Sequence, residues 1–136
     1  MSFLNISEDL QGGPTELETV PGGEYELIIT YADIPAGARY AIVRLGIADF
    51  PLSKDVSLFL NLPGSGRTEK EEILNRGFRK SFYNAFGLEE TGSYNVNEPE
   101  PEGLINRRGW AFLSDPFDDG KGYGMQNRVS KFITKK

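Results

Sequence analysis

Hydrophobic and polar residues alternate in three segments of the first half of the chain, at residues 24–34, 38–50 and 56–63. This period of two is typical of β-strands that have one buried face and one exposed face. Each segment ends at a turn or break that contains proline, which favours three separate strands. In the first of them, the side predicted to be buried carries Tyr25, Leu27, Ile29 and Tyr31.

A helix is predicted after the third strand, beginning near Thr68. Thr68 is followed three residues later by Glu71, which is the spacing of a capping box, and Gly87 supplies a C-terminal stop signal. Apolar residues at helical spacing predict a face that lies on the sheet, made of Leu74, Phe78, Phe82, Ala85 and Phe86. A second stripe is expected to face solvent, with contact to DNA as the less favoured alternative, and contains Arg76, Arg79, Lys80 and Tyr83.

Two further strands are predicted at residues 107–115 and 125–134, and the glycine-rich loop 116–124 joins them. In the first of these strands Trp110 and Phe112 alternate with a small residue, so they share a face. We expect Phe112 to lie in the core, and we leave Trp110 open between the core and a ligand contact.

The order of three strands, one helix and two strands is that of the OB-fold, a five-stranded β-barrel with a helix between strands 3 and 4. Small α+β sheets share this order and remain an alternative. We therefore predict a mainly β protein with a single OB-fold domain over residues 1–136. Residues 1–19 are predicted to form a flexible or surface-draped acidic arm, and residues 88–106 a long acidic loop.

Charge is unevenly distributed along this chain, whose net charge is −5. Residues 1–36 contain seven acidic residues and no lysine or arginine, whereas residues 103–136 contain seven basic residues and three acidic ones. Such a basic segment can bind a polyanion, or it can simply be solvated surface. The distribution alone leaves both interpretations open.

The composition weighs against catalysis, because the chain has no cysteine and no histidine and so lacks the commonest metal ligands and general base. Asp115, Asp118 and Asp119 invite a calcium interpretation. However, Phe117 stands where an EF-hand-like loop needs an oxygen ligand, and Gln126 where it needs a glutamate. We predict no enzyme, no metal and no cofactor, with a magnesium-dependent nuclease as the third alternative.

Binding of single-stranded nucleic acid requires cations that follow the phosphates and flat side chains on which bases stack. OB-folds hold a strand on the face of strands 2 and 3, beside the loop between strands 4 and 5. The aromatic candidates are Tyr40, Phe59, Trp110 and Tyr123. The basic candidates are Arg44, Arg107, Arg108, Lys121, Arg128 and Lys131. Packing of Tyr40 and Phe59 beneath the arm or the acidic loop is the alternative for those two rings.

Several stretches resemble a family of small phage proteins that are similar to single-stranded-DNA-binding OB-fold proteins. They are MSFLN, VPGGEYEL, the FLNLP strand that enters a helix ending in FYNAFG, RRGWAFL and YGMQNRVSKFI, in the same order over nearly the whole chain. The resemblance implies an OB barrel, a role in bacteriophage DNA replication or recombination, and no cofactor. One departure is the ending Lys135-Lys136, since many single-strand binders end in an acidic tail that recruits partner enzymes.

Together, the residues and the resemblance predict sequence-tolerant binding of single-stranded DNA, which would protect or organise that DNA. The alternative is a non-catalytic protein-interaction or virion-assembly module on the same small barrel, since fold does not determine function. Further partners stay open: RNA, a second copy of the chain in a homodimer, and replication or recombination proteins. The sequence has no signal-peptide pattern and no membrane-length apolar run, so we expect a cytoplasmic location, in the host cell if a phage encodes the chain.

Overall fold

The computed structural model describes residues 2–12 and 16–135. Its helices are α1 (Ile6–Gln11) and α2 (Glu69–Ala85). Its strands are β1 (Gly23–Asp33), β2 (Tyr40–Ile47), β3 (Val56–Asn61), β4 (Asn95–Pro99), β5 (Gly103–Ile105), β6 (Arg108–Leu113), β7 (Phe117–Asp118), β8 (Met125–Gln126) and β9 (Val129–Ile133). In the described part of the chain, neither helix has the length and apolarity that crossing a membrane requires.

Five of the strands form one antiparallel sheet in the order β3-β2-β1-β6-β9. The first half of β1 pairs with β6 and the second half pairs with β2, so β1 joins the two sides of the sheet. The sheet curls into a half-barrel, and α2 contacts β3, β6 and β9. The predicted mainly β, OB-like architecture with a helix between the third and fourth barrel strands is confirmed.

The hydrophobic core lies between the inner face of this sheet and α2. The side chain of Phe82 is completely buried there. Its ring centre lies 4.8 Å from that of Phe86 and 5.5 Å from that of Phe132 on β9. Clustered aromatic rings bury large apolar areas, and here they fix the second half of α2 against the barrel. The largest fully buried side chains are Phe82, Leu27, Ile29, Leu45, Val43 and Val56.

The buried face of α2 differs from the predicted one at Leu74 and Arg79. Leu74, which we predicted to lie on the sheet, is 63% exposed. Arg79, which we predicted to face solvent, is buried and donates a hydrogen bond to the carbonyl oxygen of Asn61 on β3. Both predictions are wrong because the face toward the barrel follows positions 75, 79, 82 and 86, where polar contacts to β3 replace apolar packing near the start of the helix.

The start of α2 is capped by two side chains. The hydroxyl oxygen of Thr68 accepts a hydrogen bond of 3.1 Å from the backbone N–H of Glu71, as predicted. The carboxylate of Glu72 reaches back to the preceding turn and accepts hydrogen bonds from the backbone N–H groups of Gly66 and Gly64. The hydrogen bond from Gly66, and to a lesser extent the one from Gly64, favours the ionised carboxylate. These bonds therefore hold the pKa of Glu72 below its ordinary value.

We expect Glu72→Gln to destabilise the protein at neutral pH and to have less effect in acid. The pKa of Glu72 is lower in the folded chain than in the unfolded chain. Its stabilising contribution is therefore present above the unfolded pKa and is lost as the pH falls through the folded pKa. Urea unfolding midpoints measured from neutral pH down to about pH 2 should show the difference from wild type shrinking. Glu71→Gln, which removes a charge from the same turn, is the control; an equal pH trend in both variants would contradict the prediction.

The connections on either side of β6 contain short strands that the sequence pattern does not predict. Within the acidic loop, β4 and β5 form a parallel pair. Within the glycine-rich loop, β7 and β8 form an antiparallel hairpin. Between them, Gly109 of β6 lies against the end of α2, where an added Cβ would be 2.7 Å from the carbonyl oxygen of Ala85. Glycine therefore allows a close approach between strand and helix that a larger residue would prevent.

The N-terminal segment is attached to the barrel at its end nearest β1. Val20 is buried, its N–H donates a hydrogen bond of 3.1 Å to Oδ1 of Asn127, and its carbonyl accepts one of 2.8 Å from Nδ2 of the same residue. Nδ2 of Asn127 also donates a 2.9 Å hydrogen bond to the carbonyl of Ser114. Asn127 therefore ties the entry to β1 to the end of β6. By contrast, α1 has no buried residue, and it is a helix within what we predicted to be a draped arm.

Candidate nucleic-acid interface

Two aromatic rings lie together on the outer face of β2 and β3. Tyr40 and Phe59 are diagonal neighbours across the antiparallel pair, and their rings meet edge to face with centres 5.6 Å apart. Tyr40 is 37% exposed and Phe59 is 57% exposed. Both rings therefore reach solvent on this face. Exposed rings of this kind are surfaces on which bases can stack.

Arg44 lies on the same face, near the middle of β2. It is opposite Tyr31 on β1, and its guanidinium carbon is 4.9 Å from the centre of the Tyr31 ring. We predicted that Tyr31 faces inward, and this is wrong. A β-bulge between Ile29 and Tyr31 inserts Thr30 and reverses the alternation of β1 at that point. The result is a cation stacked beside an exposed ring.

The outer face continues across β1 onto β6 and β9. Arg108, Trp110 and Phe112 are the outward residues of β6, and Lys131 on β9 lies opposite Phe112. The prediction that Phe112 lies in the core is wrong. The inward positions of β6 are Gly109, Ala111 and Leu113, and Gly109 leaves room for α2 to pack closely. Trp110 is half-buried on the outer face, where it can contact a ligand.

Two cations on this side of the sheet are paired with acidic residues of β1. Nη1 of Arg108 lies 3.0 Å from Oε1 of Glu26. Lys135 forms an ion pair with Glu24, and its Nζ lies 4.6 Å from the centre of the Trp110 ring. Exposed ion pairs of this kind contribute about 0–1 kcal/mol each. A phosphate can therefore replace the carboxylate at small cost.

These residues form a diagonal band that runs over the outer face from one edge strand of the sheet, β3, to the other, β9. Five strands are separated by four spacings of about 4.8 Å, so the band crosses about 19 Å of sheet. We call it the outer-face stripe, and it consists of Phe59, Tyr40, Arg44, Tyr31, Arg108, Trp110 and Lys131.

The β7–β8 hairpin presents Lys121 and Tyr123 at its tip. Tyr123 is 72% exposed. Gly120, Gly122 and Gly124 alternate with these two residues and have φ angles of 78°, 88° and 73°. Glycine adopts this left-handed region readily, and a side chain at these positions would disfavour it. The glycines thus shape a tip on which a basic and an aromatic side chain both point into open solvent.

Lys54 fixes this hairpin beside the sheet. Its Nζ donates hydrogen bonds of 3.1 Å to the carbonyl of Tyr123 and 2.9 Å to the carbonyl of Met125. Lys54 lies just before β3, whose first outward residue, Ser57, is opposite Arg44. The hairpin is therefore held near the Arg44 end of the β2–β3 pair, and Tyr40 lies at the other end.

Arg128 lies at the base of the hairpin. Its Nη2 is 3.3 Å from Oδ2 of Asp119, and its guanidinium carbon is 4.6 Å from the centre of the Phe117 ring. Asp119 also accepts hydrogen bonds from the side chain of Gln126 and the backbone N–H of Lys121. The carboxylate of Asp119 is thus already bonded to groups in and next to the hairpin. Among the residues that the structure describes, no three acidic side chains are grouped so that they could hold a metal ion.

Arg107 lies away from the stripe, although it precedes Arg108 in sequence. Its Nε donates to the carbonyl of Gly103 and its Nη2 to the carbonyl of Pro101, both at 2.9 Å. Its guanidinium carbon lies 4.9 Å from the centre of the Tyr94 ring. These contacts hold the acidic loop against the barrel, and they use the donors that would bind a phosphate.

The structure therefore brings most of the predicted site residues to one side of the sheet. Those on the outer-face stripe are Tyr40, Arg44, Phe59, Arg108, Trp110 and Lys131; Lys121 and Tyr123 lie on the β7–β8 connection, and Arg128 lies between β8 and β9. The sequence interpretation missed Tyr31, because nothing in simple alternation signals a bulge. It also missed Lys54 and Lys135, whose contacts are made with residues distant in sequence.

A scan of the sequence against models of protein families finds no match, and a search of curated proteins finds no match either. The resemblance to small phage proteins therefore rests on the short stretches quoted above, and the structure supports the fold that it implies.

Proposed function

We propose that the chain binds single-stranded DNA, without strong sequence preference, along the outer-face stripe and the hairpin tip beside it. The observation that carries the proposal is the exposed Tyr40–Phe59 pair, continued on the same face by the Tyr31–Arg44 stack. Every base has a π-face, so stacking on these rings tolerates any sequence. The location also supports the proposal, since OB-folds use the face of their second and third strands for oligonucleotides.

The chemistry of the stripe favours an unpaired strand over a duplex. In a duplex the bases are already stacked on one another, so exposed rings would gain nothing from it. The cations Arg44, Arg108 and Lys131 are spread over several strands, and Glu24 and Glu26 lie among them. Such mixed charge weakens non-specific binding to the dense phosphates of a duplex. The sequence resemblance adds to this proposal a role in phage DNA replication or recombination.

The proposal is tested by titrating a fluorescein-labelled oligo-dT of about 12 nucleotides while following its anisotropy. Trp110 is the one tryptophan of the chain and provides a second signal through its emission. We expect saturable binding that weakens with added salt, because phosphate contacts release counterions. Unlabelled oligo-dT should compete strongly, and a duplex of the same length should compete weakly.

The other outcomes separate the alternatives. An anisotropy and a Trp110 emission that stay flat at low salt would reject the proposal and favour a protein-interaction or virion-assembly module. Cleavage of the oligonucleotide on addition of magnesium would favour a nuclease. Equal binding of oligo-U would extend the proposal to RNA.

A further inference from the structure

The N-terminal arm carries apolar side chains that the barrel does not cover. Phe3, Leu4, Ile6 and Leu10 are each at least 60% exposed. Ile6 and Leu10 are four residues apart, so they lie on one face of α1, whose first turn is capped by Asn5. A helix of six residues is not stable alone in water, so α1 requires a surface on which to pack.

The barrel offers an apolar cavity of about 670 Å³ between α2, the inner side of β2 and β3, and the acidic loop. Its partly exposed apolar lining is formed by Leu62 after β3 and by Leu88, Tyr94 and Val96 of the acidic loop. Its size lies within the range of about 300–1,000 Å³ that is typical of protein ligand pockets. An amphipathic helix that lays its apolar side chains into such a groove is a common mode of peptide recognition.

The charges of the arm and the cavity are complementary. Arg76 and Lys80 are exposed, lie one turn apart on α2, and form one wall of the cavity. Of the acidic residues of α1, Asp9 lies beside the face of Ile6 and Leu10, whereas Glu8 lies on the opposite side of the helix. Opposite charges on two surfaces steer their encounter and fix the orientation in which they bind. Asp9 therefore belongs against α2, since the other wall of the cavity carries acidic residues of the loop.

The path of the chain favours the arm of a neighbouring copy over the chain's own arm. The arm joins the barrel at Glu18, which is bridged to Ser53 in the turn between β2 and β3. The cavity lies at the other end of β2, near Ala41. These two ends are separated by about 20 Å of strand, and the chain from Gln11 to Glu18 spans at most about 25 Å when fully extended. Docking within one chain would therefore require a nearly extended linker.

We propose that α1 of one copy docks in this cavity on a second copy, with Ile6 and Leu10 against its partly exposed apolar side chains and Asp9 toward α2. The contact joins two different surfaces, so each copy in a pair retains one free arm or one free cavity. Repeated docking then builds an open row of subunits. Cooperative binding along a DNA strand would follow if the proposed function holds, but the self-association itself does not depend on DNA.

Sedimentation velocity of the full chain without DNA tests the proposal. We expect the weight-average sedimentation coefficient of the wild type to rise with protein concentration. Ile6→Asp combined with Leu10→Asp should weaken self-association by about tenfold or more. Leu52→Asp, which places the same charge at another exposed leucine, should leave it unchanged. A wild type that stays monomeric up to its solubility limit would overturn the proposal.

Charge reversal distinguishes docking between copies from docking within one chain. A chain with Glu8→Lys and Asp9→Lys should not self-associate, and neither should a chain with Arg76→Glu and Lys80→Glu. Mixing the two should restore association, since each arm then meets a cavity of opposite charge on the other chain. Failure of the mixture to associate, with both variants folded by circular dichroism, would overturn the proposal. These outcomes are independent of whether oligo-dT binds.

Discussion

Replacing Tyr40 and Phe59 together with leucine is expected to weaken binding of an oligo-dT by about 30-fold to 10⁴-fold, since each stacked base contributes about 1–3 kcal/mol. Both rings are exposed on the outer face of the sheet, so leucine removes the stacking surface without opening the core. Anisotropy of a labelled oligonucleotide long enough for one protein molecule, at constant low salt, measures the effect.

The matched control is the double variant with Phe78→Leu and Tyr83→Leu. It also removes one phenylalanine and one tyrosine, and these rings on α2 are 37% and 39% exposed. Its affinity for the oligonucleotide should remain close to that of the wild type. The salt dependence of the Tyr40 and Phe59 variant should be unchanged, because the phosphate contacts stay in place. Equal losses of affinity in the two double variants would contradict a stacking site on β2 and β3.

The second large effect is expected for stability, at Asn127. Asn127→Ala removes the hydrogen bonds to both backbone groups of Val20 and to the carbonyl of Ser114. The two groups of Val20 are buried, and each group left without a partner costs about 1–3 kcal/mol, so we expect a loss of about 2–6 kcal/mol in the free energy of unfolding. Urea unfolding followed by circular dichroism measures the change.

Asn97→Ala is the control, because Asn97 is exposed on β4 and an exposed asparagine contributes little to stability. A midpoint for Asn127→Ala that coincides with the wild type would mean that water replaces the lost hydrogen bonds. It would also remove the stated link between the entry to β1 and the end of β6.

The fold could be predicted because its main signals are local. Period-two alternation identifies the five barrel strands, and Thr68 marks the start of α2, which the structure confirms. The buried face of α2 could not be predicted in the same way. Leu74 is more apolar than Arg79, but the carbonyl of Asn61 on β3 gives the arginine a partner and draws it inward. That partner is distant in sequence and leaves no local pattern.

The candidate site shows the same division between local and distant signals. Tyr40, Arg44 and Phe59 follow from alternation and lie where it predicts. Tyr31 does not, because the bulge at Thr30 depends on how β1 pairs with β2 rather than on the sequence of β1 alone.

The composition does not reveal where the unevenly distributed charges of the chain lie in the fold. The acidic residues Glu24 and Glu26 of β1 lie beside the basic residues of β6 and of the C-terminal segment. Acidic and basic ends of the sequence are therefore neighbours in the fold. Of the cations proposed to bind phosphate, Arg108 is paired with Glu26 and Arg128 with Asp119, and a phosphate would take the place of these carboxylates.

The order of the sheet makes β1 the strand that connects its two sides. Its two halves pair with different neighbours. The sheet therefore has two sides, β2 with β3 and β6 with β9, that are joined through this one strand. The distance from Tyr40 and Phe59 on one side to Trp110 on the other depends on the twist of β1. A polynucleotide lying over both sides of the sheet would contact rings whose spacing is set by this one strand.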